Sequence, residues 1–250
     1  YHRMGPSDQD VYLRKSNSSF GQLCITHWNK GTLPGMHKQP VVTYLGNYVI
    51  VAWVDLLSNP LFQDALLARI YNTDCGYLDE IRVDGEYENP ATTGNGLVFF
   101  VTFEQGGNIY NLLGNNSTSI VNNVAGTGSL PTVAYDGQWG WFAWRDTQNG
   151  NGEVYLTNAY GAEQYDDVRI TDHPANSTRP DVVSRPLDPG VTWFVWQDYR
   201  DGNWEIYLTG TELTAPAHKI VALDPDPNSP VSVVMQGGTL HRYYRVTDAN

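Results

Sequence analysis

Long hydrophobic runs are missing from this chain. No apolar stretch approaches the roughly 18 residues of a membrane span, so a membrane-spanning helix is not expected. No basic-then-apolar leader stands at Tyr1 either, and the sequence reads as one from which any signal has been removed. Basic residues are few: 15 Lys and Arg face 27 Asp and Glu, for a net charge of −12. A phosphate-backbone partner needs a basic face, so nucleic acid is excluded as the expected partner. Cysteine is scarce as well. Cys24 and Cys75 permit one disulfide, with two buried thiols as the alternative, and they form no metal-site spacing such as C-x-x-C. A helical apolar stripe is also lacking over any stretch of about 12 residues. The class is all-β.

What the sequence does contain is a repeat. Prolines stand at 40, 90, 131, 180 and 230, spaced close to the length of a four-stranded propeller blade. Pro40, Pro90 and Pro131 are each followed six residues later by Gly46, Gly96 and Gly137, and then by the aromatics Trp53, Phe103 and Trp144. The fourth copy stretches from Pro180 to Trp196, and the fifth runs from Pro230 through Gly237 to Tyr243 and Tyr244. Each unit reads as a β-branched strand, a Gly turn, an apolar strand ending in the aromatic, and a further strand. The residues predict a single β-propeller domain over 1–250, five-bladed, with units starting near 40, 90, 131, 180 and 230.

The last unit stops after its second strand. Its missing half is expected at the other end, because Asp10-Val11-Tyr12-Leu13 matches Glu153-Val154-Tyr155-Leu156 and Glu205-Ile206-Tyr207-Leu208. Residues 8–30 would thus complete the C-terminal blade and remove the open edges of the ring. A Cys24–Cys75 bond would staple that closure.

The Trp-x-Asp pattern at Trp144–Asp146 and Trp196–Asp198, the Gly-Asn and Asp-Gly-Asn turns, and the Glu-Ile-Tyr-Leu strands together resemble the WD-like repeats of secreted and periplasmic TolB-type propellers. The resemblance is clearest over 131–230. It departs at Gln105, which replaces the Asp, and at residues 64–67, where Ile-Tyr is lost. TolB-type propellers are usually six-bladed, whereas five units are counted in this chain. The resemblance implies a propeller outside the cytoplasm and implies little about activity, since propellers host binding, scaffolding and hydrolysis alike.

Candidate sites follow from the propeller geometry. Segments entering the innermost strands line the channel mouth, and there His37, Lys38, Glu88, Asn89, Arg179 and Asp226 offer polar groups for a ligand. Five-bladed glycoside hydrolases set carboxylates in the channel as acid and base or nucleophile; Glu88 and Asp181 are the candidates for that chemistry. The Trp-x-Asn-Asp-Pro-x-Gly motif of the invertase group is missing. Asp198, Asp201, Asn203 and Glu205 form an oxygen-rich turn that reads first as a hairpin held by its own acid and second as a Ca²⁺ site. No other cofactor is expected. N-glycosylation acceptors occur at Asn17, Asn115, Asn116 and Asn176, and with the acidity they point to a secreted or cell-surface glycoprotein. Trp139 and Trp204 sit in turns and are the tryptophans expected to be exposed.

Three functions fit. The first is an extracellular, non-catalytic binding or scaffold domain for a protein or glycan partner. The second is a building block of a filament or surface layer that self-assembles by donating the N-terminal strands to the next subunit. The third is a five-bladed glycoside hydrolase.

Overall fold

A computed structural model describes the side chains of residues 38–56, 64–115 except Cys75, 119, 121–160, 166–184 and 191–211, and further backbone at both ends. It is built of antiparallel sheets, and no helix occurs among the described residues. At the N-terminus lie β1 (His2–Met4), β2 (Gln9–Arg14) and β3 (Leu23–Ile25). Sheet one follows as β4 (Gly35–Leu45), β5 (Tyr48–Leu57), β6 (Ala65–Asn72) and β7 (Tyr77–Asp84). Sheet two is β8 (Glu88–Gly94), β9 (Phe99–Gln105), β10 (Asn108–Gly114) and β11 (Ser119–Ala125). Sheet three is β12 (Ser129–Tyr135), β13 (Gly140–Asp146) and β14 (Glu153–Tyr160), edged by the short β15 (Glu163–Gln164) and β16 (Val168–Arg169). Sheet four is β17 (Ser177–Ser184), β18 (Thr192–Asp198), β19 (Glu205–Gly210) and β20 (His218–Val221), and a hairpin of β21 (Val231–Gln236) and β22 (Thr239–Tyr244) comes last. The first strands of these units pack side by side in chain order: β4 on β8, β8 on β12, β12 on β17 and β17 on β21.

Each middle strand is sandwiched between sheets, which is why it reads as apolar on both faces. Leu66, Leu67 and Ala68 on β6 are all buried, as strands covered on both sides must be. The repeat aromatic lies in the second half of the second strand of sheets one to four. Trp53, Phe103, Trp144 and Trp196 are fully buried. Three of them stack on their direct cross-strand partner: Phe103 on Tyr110, Trp144 on Tyr155 and Trp196 on Tyr207, with ring centroids 6.0, 6.1 and 6.1 Å apart. Such pairs join two strands and also wedge the gap to the neighbouring sheet: Trp144 shares a core with Phe100 and Ile109 of sheet two, and Trp196 packs with Val154 of sheet three.

The hairpin after Trp196 is held by its acid. Asp198 is buried and accepts hydrogen bonds from Trp196 Nε1 (2.9 Å), Ser177 Oγ (3.0 Å), Arg200 N (3.0 Å) and the Arg200 guanidinium (2.6 and 2.9 Å). Burial pushes its carboxyl up, but the Arg200 and Trp196 donors outweigh that and hold it below the ordinary carboxylate range.

The expected closure is not what the structure shows. β2 pairs with β1 and β3 and, through a single parallel pair Gln9↔Met36, with β4 of sheet one. Among the described strands β22 pairs with β21. Of the segment 8–30, the described strands β2 and β3 therefore extend sheet one, and among the described strands neither pairs with the last hairpin. Strands of three to six residues carry too few pairs to fix a distant register, and β2 is satisfied by its own neighbours in sequence. Cys75 lies outside the described residues, as do Asn17, Asn116 and Asp226.

Asp198→Asn is expected to lower stability near neutral pH by about 2 kcal/mol, because Arg200 loses its charged partner. The folded pKa of Asp198 lies below the unfolded one, so its contribution is fully present above the unfolded carboxylate range and is lost as pH falls through the folded value. Urea melts at stepped pH should show the gap between the two proteins closing at acid pH.

Candidate functional site

Four consecutive sheets enter their first strand with the same irregularity. Gln39, Asn89, Leu130 and Arg179, each just before a repeat proline, have φ of 55°, 49°, 53° and 49°. At the same points the pairing to the second strand skips, between Lys38 and Val41, Glu88 and Ala91, Ser129 and Thr132, and Thr178 and Asp181. A left-handed residue followed by a proline that has no N–H is a bulge that the ladder must step around. The four bulges gather at one end of the sheets around an open cavity of about 260 Å³, lined by these residues, the four prolines and Val41. At the opposite end the turns of sheets one and two meet closely: a Cβ on Gly46, whose φ is +59°, would stand 3.1 Å from Gly96 O.

A hydrogen-bond chain runs around the cavity from sheet to sheet. Gln39 Nε2 donates to Asn89 Oδ1 (3.2 Å), and Asn89 N donates back to Gln39 Oε1 (3.1 Å). Asn89 Nδ2 donates to Glu104 Oε2 (2.8 Å), which also accepts Leu130 N (3.0 Å). Glu104 thereby ties sheet two to sheet three. Thr132 Oγ1 donates to Asp181 Oδ1 (3.0 Å), tying sheet three to sheet four. Asp181 occupies in its sheet the step after proline that Val41, a cavity-lining residue, occupies in sheet one.

Of the residues singled out by the sequence, Asn89 and Arg179 line the cavity. Asp181 follows Pro180 beside it. Glu88 is exposed, on β8 opposite Glu104, and is not among the lining residues. Lys38 is half-buried on β4, and His37 stands opposite Asp55 in the register, its side chain outside the described residues. Glu104 is the carboxylate that sequence reasoning missed. It sits on the second strand, and only the register β8–β9 brings it beside the bulge.

The calcium candidates do not converge on one point. Asp198 is committed to Arg200, Trp196 and Ser177; Asp201 accepts the Tyr207 hydroxyl (2.9 Å); Glu205 accepts Asn203 Nδ2 (3.2 Å). Among the described residues no group of three or more His, Cys, Asp or Glu side chains is placed to hold a metal. In the matching turn of sheet three, Glu153 accepts Asn151 Nδ2 (2.7 Å), Arg169 (2.8 Å) and the Thr171 hydroxyl. Both turns use their acids to close a hairpin. Asn176 is exposed, its Oδ1 accepting Gly152 N (2.8 Å), and Asn115 is half-buried.

Non-glycine residues at positive φ are strained by about 1–2 kcal/mol. Leu130→Gly is therefore expected to be about 1 kcal/mol more stable than Leu130→Ala, since both lose the same contacts and only glycine relieves the backbone. Equal melting midpoints for the two variants would show that position 130 stores no strain.

No family model and no curated protein sequence matches the chain. Its fold is similar to that of solved β-propellers. An α-L-arabinanase from Penicillium chrysogenum, solved with arabinobiose, superposes with a TM-score of 0.57 at 11% identity over 81% of this chain and 72% of its own. TolB from Acinetobacter baumannii gives 0.52 at 14% over 92% and 55%. A Trypanosoma rangeli sialidase in complex with sialic acid gives 0.52 at 13% over 97% and 48%. The chain thus spans about half the length of the last two. These likenesses correct the first function drawn from the sequence. The neighbours include glycoside hydrolases, so the fold gives no ground for preferring a non-catalytic binding or scaffold domain; at these identities the likeness is one of fold alone. No described helix is long and apolar enough to cross a membrane. At this level the chain is an all-β protein of four-stranded antiparallel sheets, arranged like those of β-propellers.

Proposed function

We propose that the chain is a five-bladed propeller, its last blade begun by the hairpin β21–β22, and that the cavity at the proline end is the active site of a glycoside hydrolase. The observation that carries this is the cavity itself, which four sheets line and to which three of them bring amides (Gln39, Asn89) and a guanidinium (Arg179), with the carboxylates Glu104 and Asp181 beside it. Amides and a guanidinium hold sugar hydroxyls by directional hydrogen bonds. Glycosidic cleavage needs two carboxylates, one to protonate the leaving oxygen and one to attack the anomeric carbon or activate water. Asp181 and Glu104 are the pair. Asp181 is oriented by Thr132 Oγ1 and by its own neighbour Val182 N (3.0 Å), and Glu104 by Asn89 and Leu130. Such fixed donors preorganise charge at no cost during the reaction. The arabinanase and sialidase likenesses support the same reading. The exposed sequon at Asn176 supports a secreted setting.

A panel of arabino-, fructo- and sialo-glycans is the test. Turnover by the native chain is expected, with Asp181→Asn and Glu104→Gln each lowering kcat by about 100-fold or more while thermal melts show both variants folded. No turnover on any of the three classes, or full activity in the Asp181→Asn protein, sinks the proposal.

A further inference from the structure

Sheet four carries an aromatic pair on the same end as the cavity. Its hairpin between β18 and β19 begins at Asp198, which pairs with Ser177 at the start of β17, two residues before the cavity-lining Arg179. Strand rise and spacing place the hairpin about 10–15 Å from the cavity. In that hairpin the rings of Tyr199 and Trp204 stand 5.3 Å apart at 56° to one another. Tyr199 is 42% exposed, and Trp204 is half-buried.

The turn does not need these rings. Its backbone is closed by Gly202 N to Tyr199 O (3.1 Å) and anchored to the neighbouring loop by Tyr199 N to Asn176 O (3.0 Å). Asp198 fixes Arg200, and Arg200 lies over Tyr207, 4.3 Å from its centroid. Sheet three builds the same kind of turn with Gly150 N to Thr147 O (2.9 Å) and Gln148 N to Asp146 Oδ1 (2.7 Å). There the positions matching Tyr199 and Trp204 are Thr147 and Gly152. Two large rings thus stand on a turn that closes without them, at the same end of sheet four as the cavity-lining Arg179.

We propose that Tyr199 and Trp204 form an outer stacking subsite for a neutral oligosaccharide chain whose reacting end lies in the cavity. The assignment rests on the hydrolase reading of that cavity. Sugar rings present apolar C–H faces bordered by hydroxyls, and two tilted aromatic rings supply the complementary faces. Asp201 and Arg200 alongside offer an acceptor and donors for the hydroxyls. A net charge of −12 disfavours polyanionic chains, which leaves neutral glycans as the occupant. The separation from the cavity exceeds one sugar ring, so the subsite contributes to long chains and not to monosaccharides.

The experiment measures binding and turnover separately, on a printed array of neutral oligosaccharides graded by length, with native protein, Tyr199→Ala, Trp204→Ala and Trp204→Phe. Native protein is expected to bind longer chains more tightly. Each alanine variant should lose about tenfold for long chains and nothing for short ones, and Trp204→Phe should retain most of the affinity. Length-dependent binding that the alanine variants lose, without hydrolysis, supports the subsite and counts against the hydrolase reading alone. No binding to any neutral glycan, no dependence on length, or unchanged binding by both alanine variants overturns the subsite.

Discussion

Burial of the middle strands on both faces, in the four sheets whose side chains are described, is the constraint from which the rest of this structure follows. A sheet with two apolar faces cannot stand beside solvent on either side, so each must press against a neighbour. The buried aromatic in the second strand of sheets one to four meets that need. Stacked across to its partner strand, as Trp144 is on Tyr155, it is wide enough to fill the gap to the next sheet. Once the sheets are spaced in this way their first strands come together in order, and whatever lies at the ends of those strands is brought to one place.

That placement turns a local irregularity into a site. A bulge in one strand re-aims one or two side chains. The same bulge in four adjacent first strands directs four segments of unrelated sequence toward a shared cavity, and their amides can reach from sheet to sheet. The chain Gln39–Asn89–Glu104 joins two sheets, and Thr132–Asp181 joins two more. These bonds tie the mouth of the cavity to the packing of the core, so site geometry and fold stability are not separable properties here.

The repeat was legible because it is a matter of packing: proline, glycine and aromatic recur at spacings set by strand length and turn chemistry. The rim position was legible for the same reason, as the residues immediately before the prolines. The positive φ there was not, since only Asn89 of the four has a side chain that tolerates it readily and Leu130 argues against it. Glu104 escaped because nothing in a second strand marks an acid that will lie beside a bulge in the first. The N-terminal strands misled for a different reason. Val11-Tyr12-Leu13 matches the third-strand pattern of sheets three and four, but a similarity of side chains does not choose a pairing edge when the strand is short and a local partner is at hand.

The tolerance of the bulge has a consequence for how such a protein can change. Gln, Asn, Leu and Arg occupy equivalent positions with nearly the same backbone angle, so the conformation is imposed by the proline and the neighbouring strands, not by the side chain it displays. Each of the four positions is therefore a socket that accepts different chemistry without altering the frame. A lineage, or a designer with a four-position library, can change the chemistry that lines the cavity while leaving the frame of sheets as it stands.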